Sequence, residues 1–534
     1  MKKSFLLSGC LFLATNSFAA SYTVTQLTNN NYYDEYARLN ERGDVVWAAW
    51  VDSADPGWTV FEYNAETKTT TQISDNNAFY NSHQVNNRGD VVWMASDGHD
   101  QEIYLYQAET QTVIPLTNND NDDTNPQISD NGDVSWLEQR GTTASEALLM
   151  RYDAMTMTSS LVDFPNATRQ GYQTMNANGD IVWNAVVADN QQVLLYEAAT
   201  GTMSNLSNNE GAINSNQRIM NNGDVVWDAY DLLAYKTSIM YYKAEDQSVT
   251  QVNDDVGAHL FGSNGNIAWV SNTNGVSTIT TYDPATGIVK DIATQNAIYG
   301  PNLAGINARG DVAWSVIIGT SWLSRVYNAN TDTIVDLTNT QGSGTYDLDL
   351  ADNGDVVWSL WDGTDYEVHT YQSDSGAMTQ LSDNQVDDGF TAINGAGTVL
   401  WERFDPSGSE LMLAVRNTQS LKIDVKDVDL DLRKSELGVK SDFQYSGIPG
   451  PAEAIAISLD GISLVNTPFG DFTAEGNGIY KYKTGDTDVK INFNSGKIKA
   501  EKDNIRFAAR RARSTVEVSI SFGQASAVDF YTLR

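Results

Sequence analysis

One cysteine in 534 residues, Cys10, leaves no intrachain disulfide and no site built from several thiolates. Histidine is almost as scarce, with four residues. Beyond residue 20 no apolar run approaches the ~20 residues that a membrane-spanning helix needs, so no transmembrane segment is expected. Positive charge is short as well: 33 Lys and Arg stand against 69 Asp and Glu, a formal charge of −36. The shortage is uneven, because residues 416–534 hold 17 basic against 16 acidic residues, leaving 16 against 53 for the rest. Such a field repels nucleic acid and anionic lipid and disfavours polyanionic substrates. Also missing are Gly-x-Ser-x-Gly, His-Glu-x-x-His, the phosphate loop and Gly-x-Gly-x-x-Gly, and with them the chemistries they serve. Glycosidases need a carboxylate pair at a set separation, and among 69 acids the sequence singles out no pair.

What is present begins with an export signal. Residues 1–19 combine Lys2 and Lys3, an apolar stretch from Phe5 to Leu13, and small residues at Ser17, Ala19 and Ala20. That is a secretory signal pattern, and it implies a periplasmic or extracellular protein. Leu7-Ser8-Gly9-Cys10 looks like a lipoprotein box, but few apolar residues precede the cysteine and the apolar run continues after it, so signal cleavage is the preferred reading.

A repeat dominates the remainder. Turn glycines fall at Gly43, Gly89, Gly132, Gly179, Gly223, Gly265, Gly310, Gly354 and Gly397, spaced 42 to 47 residues apart. Four residues after each stands a tryptophan: Trp47, Trp93, Trp136, Trp183, Trp227, Trp269, Trp314, Trp358 and Trp401. A second register, 17 to 20 residues after the glycine, runs from Tyr63 to Tyr371 in eight copies, with Val415 in the ninth. Each copy reads as four short antiparallel strands, the first two joined by a turn whose glycine supplies positive φ. A unit of about 44 residues with this grammar is a β-propeller blade, and the aromatic residues fill the wedge between blades. The segment Thr23–Asn29, "TVTQLTN", matches the fourth strand of the eighth copy, "MTQLSDN", whereas the ninth copy lacks a clear fourth strand. The N-terminal strand is therefore expected to complete the last blade and close a ring of nine, with a ring of eight plus one odd repeat as second choice.

The stretch Asn125–Trp136, "NPQISDNGDVSW", resembles the repeats of TolB-like propellers (the WD40-like or PD40 type), where proline, an Asp-Gly turn and an apolar strand follow in that order. The likeness spans residues ~20–417, although the third copy alone keeps the proline. It implies the fold and several functions: periplasmic protein binding, capping of peptidases, or lyase chemistry of the oligogalacturonate type.

Three groups of candidate residues follow. The position six before each turn glycine lies on the innermost strand near the channel mouth and includes His83, Gln173, Gln217 and His259. In the lyases that the fold resembles, such histidines and glutamines hold a divalent metal. The loops joining strand four to the next strand one share one face and carry Tyr32, Tyr33, Tyr36, Tyr80, Tyr172 and Tyr299 among Asn and Asp, chemistry suited to neutral sugars or a protein partner. Asp120, Asp122 and Asp123 in one such loop are candidates for calcium, while Asn and Asp also simply favour turns. Arg-Gly-Asp occurs at three turns, where hairpin geometry explains it.

From about residue 418 the repeat gives way to period-two alternation, expected to form an antiparallel β-sandwich to residue 534, with a basic run at Arg506–Ser514 as a docking candidate. The combined expectation is an all-β, exported, non-catalytic propeller that binds a glycan or an envelope or extracellular protein through its loop face. The alternative is a polysaccharide lyase or hydrolase using His83 and His259.

Overall fold

A computed structural model of the chain describes residues 22–51, 57–75, 77–141, 147–168, 170–254, 256–296, 300–338, 340–341, 345–406, 408–417, 421–431, 436–445, 454–459, 462–476, 479–484, 487–492, 495, 497–502, 515–522 and 525–532. The signal segment, Tyr299 and the basic run Arg506–Ser514 lie outside them. The chain divides into two compact units that meet in sequence at Arg416 and Asn417. No helix among the described residues is long and apolar enough to cross a membrane.

The first unit consists of nine antiparallel sheets, each built from one copy of the repeat and numbered here as blades 1 to 9 by their turn glycines. Blade 1 is Tyr33–Leu39, Val45–Val51, Gly57–Asn64 and Thr69–Gln72, in that order across the sheet. Blade 9 takes three strands from its own copy, Asp388–Ile393, Val399–Asp405 and Gly408–Arg416, and its fourth, Tyr22–Gln26, from the N-terminus. Tyr22 lies opposite Arg416 and Gln26 opposite Met412, so the edge that the ninth copy leaves bare is paired.

The tryptophan register explains how the blades stack. Each of the nine tryptophans is at most 4 % exposed, and each sits in an apolar cluster shared with the preceding blade. Trp93 packs with Val46 and Val60 of blade 1, and Trp401 with Val357 and Val368 of blade 8. Trp47 of blade 1 packs with Leu400, Leu411 and Leu413 of blade 9, which closes the ring. Burying one such ring stabilises the fold by roughly 1.5–3 kcal/mol.

The turns joining strands one and two carry a second device. Gly43 at φ +91° adopts a conformation that L side chains rarely take, and the same holds at the other eight turn glycines. Beside it, Asn40 Nδ2 donates to the carbonyl of Asn86 one blade on (2.9 Å), Asn307 to Ala351 (3.0 Å), and Asn394 of blade 9 to Asn40 of blade 1 (2.9 Å). The Asp after the glycine accepts the backbone N–H that ends the third strand, as between Asp44 and Ala65 (2.9 Å) or Asp311 and Ala329 (2.8 Å). This accounts for Arg-Gly-Asp. Asp44, Asp90 and Asp311 are 0 %, 3 % and 1 % exposed and pair with their own arginines, so none presents its carboxylate to a partner.

The second unit holds two antiparallel sheets. One contains six strands, Leu421–Asp431, Glu436–Tyr445, Lys497–Lys502, Thr487–Asn492, Ile479–Thr484 and Thr473–Gly476. The other contains four: Ile462–Pro468, Ala454–Leu459, Thr515–Phe522 and Ala525–Thr532. Ile455, Ile457 and Val465 of the smaller sheet, and Val489, Ile491 and Ile498 of the larger, are buried in alternation, the pattern of a β-sandwich.

Candidate functional site

Antiparallel connections alternate between the two ends of a blade. The loops from strand two to strand three, and from strand four to the next strand one, therefore share one face, opposite the Asn-Gly-Asp turns. Much of the Asn and Asp on this face is internal scaffolding. Asn119 donates its backbone N–H to Glu102 Oε1 (2.7 Å) and its side-chain amide to Asp123 (2.7 Å). Asn30 with Glu410 and Asp34, and Asn384 with Glu367 and Asp388, repeat the arrangement. Asp123 is consequently buried, with its carboxyl pushed up to about 7 by burial. Asp122 caps the Gln101 N–H (3.1 Å) and Asp120 faces solvent, so the structure does not gather the three calcium candidates around one point.

Three of the four channel candidates share a role. The residue seven before the turn glycine takes a left-handed conformation in blades 1, 3, 5, 8 and 9, at Tyr36, Asn125, Asn216, Asp347 and Phe390. At Tyr36, Asn125 and Asp347 the carbonyl of that bulge accepts from the side chain at the following register position of the next blade. His83 Nε2 donates to Tyr36 O (2.9 Å), and Gln173 Nε2 to Asn125 O (2.8 Å). Gln217 Nε2 donates to Tyr172 O at 2.6 Å. His83 is fully buried, and burial, aided by Arg38, lowers it to about 4 and keeps the ring neutral. For His259, burial works against protonation, but Asp228 at 3.0 Å and the Gly257 carbonyl at 2.9 Å raise the imidazole overall. His83, Gln173 and Gln217 thus brace the residues that shape the loop face, whereas His259 is held by Asp228 and Gly257 on a different blade from His83.

The loop face carries two features. Tyr36, Trp50, Trp58 and Tyr80 form a continuous aromatic patch across blades 1 and 2, with ring centroids 5.6 to 6.3 Å apart. Trp50 and Trp58 face each other across strands two and three of blade 1, and Tyr80 is 59 % exposed. Neither tryptophan is a candidate in the sequence reading. The available signal is that both stand outside the nine-fold tryptophan register, where the core has no use for them. Of the remaining loop tyrosines, Tyr33 is exposed and Tyr32 packs into the core between blades 9 and 1.

The second feature is a cleft of about 480 Å³ running from Tyr80 to Tyr172 across blades 2, 3 and 4. It exists because two inner strands are interrupted. In blade 2 the strand shrinks to Gln84–Val85, and in blade 4 it breaks between Thr168 and Gln173. At the second break Gly171 donates to Asn184 O (2.7 Å), and a Cβ there would fall 1.7 Å from Asn184 Oδ1, so any larger residue would displace the Asn184 side chain. The neighbouring Tyr172 is left 75 % exposed. Between the two tyrosines lie Asn81, Gln84, Asn125, Gln139 and Gln170, with Ser82, Thr124, Met94, Pro126 and Leu137. No Asp, Glu, Lys, Arg or His lines it.

No family model matches the chain, and no curated protein matches it in sequence. Among solved structures it is similar to Porphyromonas gingivalis dipeptidyl peptidase 4 at 13 % identity and TM-score 0.47, over 73 % of this chain and 66 % of that one, just under two thirds of the peptidase. It is also similar to an oligogalacturonate lyase in complex with manganese, at 11 % identity and TM-score 0.37, over 56 % of this chain and 90 % of the lyase. TolB from Acinetobacter baumannii is a further neighbour, at 14 % identity and TM-score 0.27, over 56 % of this chain and 80 % of TolB. These neighbours share a propeller architecture, and the fold here rests on the strand order itself.

Proposed function

We propose that this chain is an exported, non-catalytic propeller that binds an uncharged polysaccharide along the cleft between Tyr80 and Tyr172. The observation that carries the reading is the lining: in a protein with a formal charge of −36, the cleft has no ionisable group other than its two tyrosines. Side-chain amides supply paired donors and acceptors for hydroxyl groups, and exposed tyrosine rings supply an apolar face with a polar rim. The surrounding acidic field keeps polyanions away. The aromatic patch from Tyr36 to Tyr80 continues the surface beyond one end of the cleft and would extend the contact along a chain of sugars.

Affinity electrophoresis of the mature protein in gels cast with neutral or anionic polysaccharides tests this, with parallel assays for new reducing ends and unsaturated sugar ends. Retardation by at least one neutral polysaccharide, none by anionic ones, and no new ends are expected. New reducing ends or unsaturated sugar ends would instead favour the lyase or hydrolase reading.

A further inference from the structure

Two loops on the same face share a sequence that the rest of the repeat lacks: Asp97-Gly98-His99-Asp100-Gln101-Glu102 in blade 2 and Asp362-Gly363-Thr364-Asp365-Tyr366-Glu367 in blade 8. Both fold identically. The first Asp accepts the backbone N–H groups two and three residues on (2.8 and 3.3 Å in blade 2, 2.7 and 3.2 Å in blade 8). In each loop the three carboxylates converge, with one oxygen from each within 4.8 Å of the others.

Convergence of acids alone would mean little, but the central carboxylate adds a separate observation. Both oxygens of Asp365 are buried without a hydrogen-bond partner, in a residue only 4 % exposed, and both oxygens of Asp100 are covered and bare in a residue that is itself half-buried. Among the described residues no other carboxylate has both oxygens in that condition. A buried, unpartnered anion costs several kcal/mol, so such a group signals a missing counter-charge. Glu367, Asp362, Asp387 and Asp383 crowd further negative charge around Asp365. Blade 9 supplies the contrast within the same chain. There Gly408 stands at the position of Asp365, while Glu410 keeps the two bonds that Glu367 makes in blade 8, so the central Asp is what blade 9 lacks.

We infer that each of these two loops binds one calcium ion through Asp97, Asp100 and Glu102 in blade 2 and through Asp362, Asp365 and Glu367 in blade 8. Oxygens bound to one calcium ion at about 2.4 Å lie no more than about 4.8 Å apart, a bound that the three carboxylates of each loop meet. The donors are all oxygen, the set a hard cation takes, and calcium tolerates irregular geometry that magnesium does not. The ion would also fasten each loop to its neighbour, because Asp122 and Asp387 already accept the N–H groups of Gln101 and Tyr366 (both 3.1 Å). These sites differ from the Asp120, Asp122, Asp123 set and do not depend on the glycan reading.

Isothermal titration of the metal-stripped mature protein with calcium chloride, without any glycan, tests the inference. Two ions per chain are expected, with dissociation constants on the order of 10⁻⁴ M as for extracellular modules. One ion should remain in Asp100→Asn and one in Asp365→Asn, and none in the double variant. Calcium should raise the melting temperature of the wild type by several degrees and leave that of the double variant unchanged, while magnesium binds more weakly. Because Asn relieves the uncompensated charge, the variants are expected to fold, which circular dichroism checks. No calcium uptake by the wild type at millimolar concentration would overturn the inference and leave a proton shared within each cluster as the explanation. So would undiminished stoichiometry in the double variant.

Discussion

A chain from which residues 22–28 have been removed is expected to lose most of the propeller's stability and to self-associate. Five residues of ladder pairing go, with the Leu27 N–H to Leu411 O bond at 2.8 Å. Tyr22 leaves the core between blades 8 and 9, and Leu27 leaves the core between blades 9 and 1. Thr28 leaves the buried Glu410, to which it donates at 2.7 Å, and no longer receives the Leu411 N–H at 2.9 Å. Backbone bonds at about 1 kcal/mol each and two apolar side chains at roughly 1.5–3 kcal/mol sum to the order of 5–10 kcal/mol. That is comparable with the whole stability of a typical domain, about 5–15 kcal/mol. The strand Gly408–Arg416 becomes an open edge and invites a second copy. Urea unfolding and light scattering measure both effects, and a synthetic peptide of residues 22–29 added in trans should reverse them. An unchanged urea midpoint in a monomeric truncated protein would show that the ring does not depend on its closing strand.

Stability is also expected to fall as pH rises from neutral to mildly basic. Glu402, 4 % exposed, has its carboxyl pushed up to about 8 by burial and then by Glu35 and Asp34. Burial and Asp44 push Glu62 up to about 7, and burial pushes Asp34 up to about 6. Each is protonated in the fold at a pH where the unfolded chain, near 4.5 or 3.8, has already ionised. Their contribution is complete below those unfolded values and is lost as pH climbs through the folded ones. His83 acts in the opposite sense, since its neutral buried form costs stability as pH falls from 6.5 toward 4. Above pH 6.5 the carboxyls act unopposed by it. At about 1.4 kcal/mol per pH unit, Glu402 alone accounts for ~2 kcal/mol between pH 6.5 and 8. Melting temperatures across that range, in constant ionic strength, are expected to drop for the wild type. Glu402→Gln should flatten the curve and stabilise the protein at pH 8. A variant with the wild-type slope would remove Glu402 from the account.

The parts of this fold that are legible in the sequence are those the geometry demands nine times over. A turn that needs positive φ selects Gly43 and its eight equivalents, and a wedge that needs a large apolar ring selects Trp47 and its eight. The closing strand is legible because "TVTQLTN" keeps the fourth-strand pattern with no partner of its own. What a single occurrence decides is hidden. Nothing in its sequence position shows that His83 is sealed against Tyr36 O rather than open to the channel, because burial of an inner strand depends on the neighbouring blade. The cleft arises where two repeats depart from the rule, at the broken strand around Gly171 and the short strand before Asn86, and a period-based reading smooths over such departures. Trp50 and Trp58 sit between these cases: standing off the register marks them, but only the cross-strand pairing brings them to Tyr36 and Tyr80. The paired Asp-Gly-x-Asp-x-Glu loops were equally open to inspection, and what distinguishes them is the bare buried carboxylates that the fold creates.

We propose that a neutral glycan lies between Tyr80 and Tyr172. The most direct test is the affinity of a retained neutral polysaccharide for Tyr80→Ala, Tyr172→Ala and the double variant, measured beside Met155→Ala, which removes a 90 % exposed side chain from the opposite face. Loss of one stacking ring is expected to weaken binding at least about 10-fold, roughly 1.4 kcal/mol, with a larger loss in the double variant and none for Met155→Ala. Wild-type affinity in all the tyrosine variants would contradict the claim and move the binding surface elsewhere.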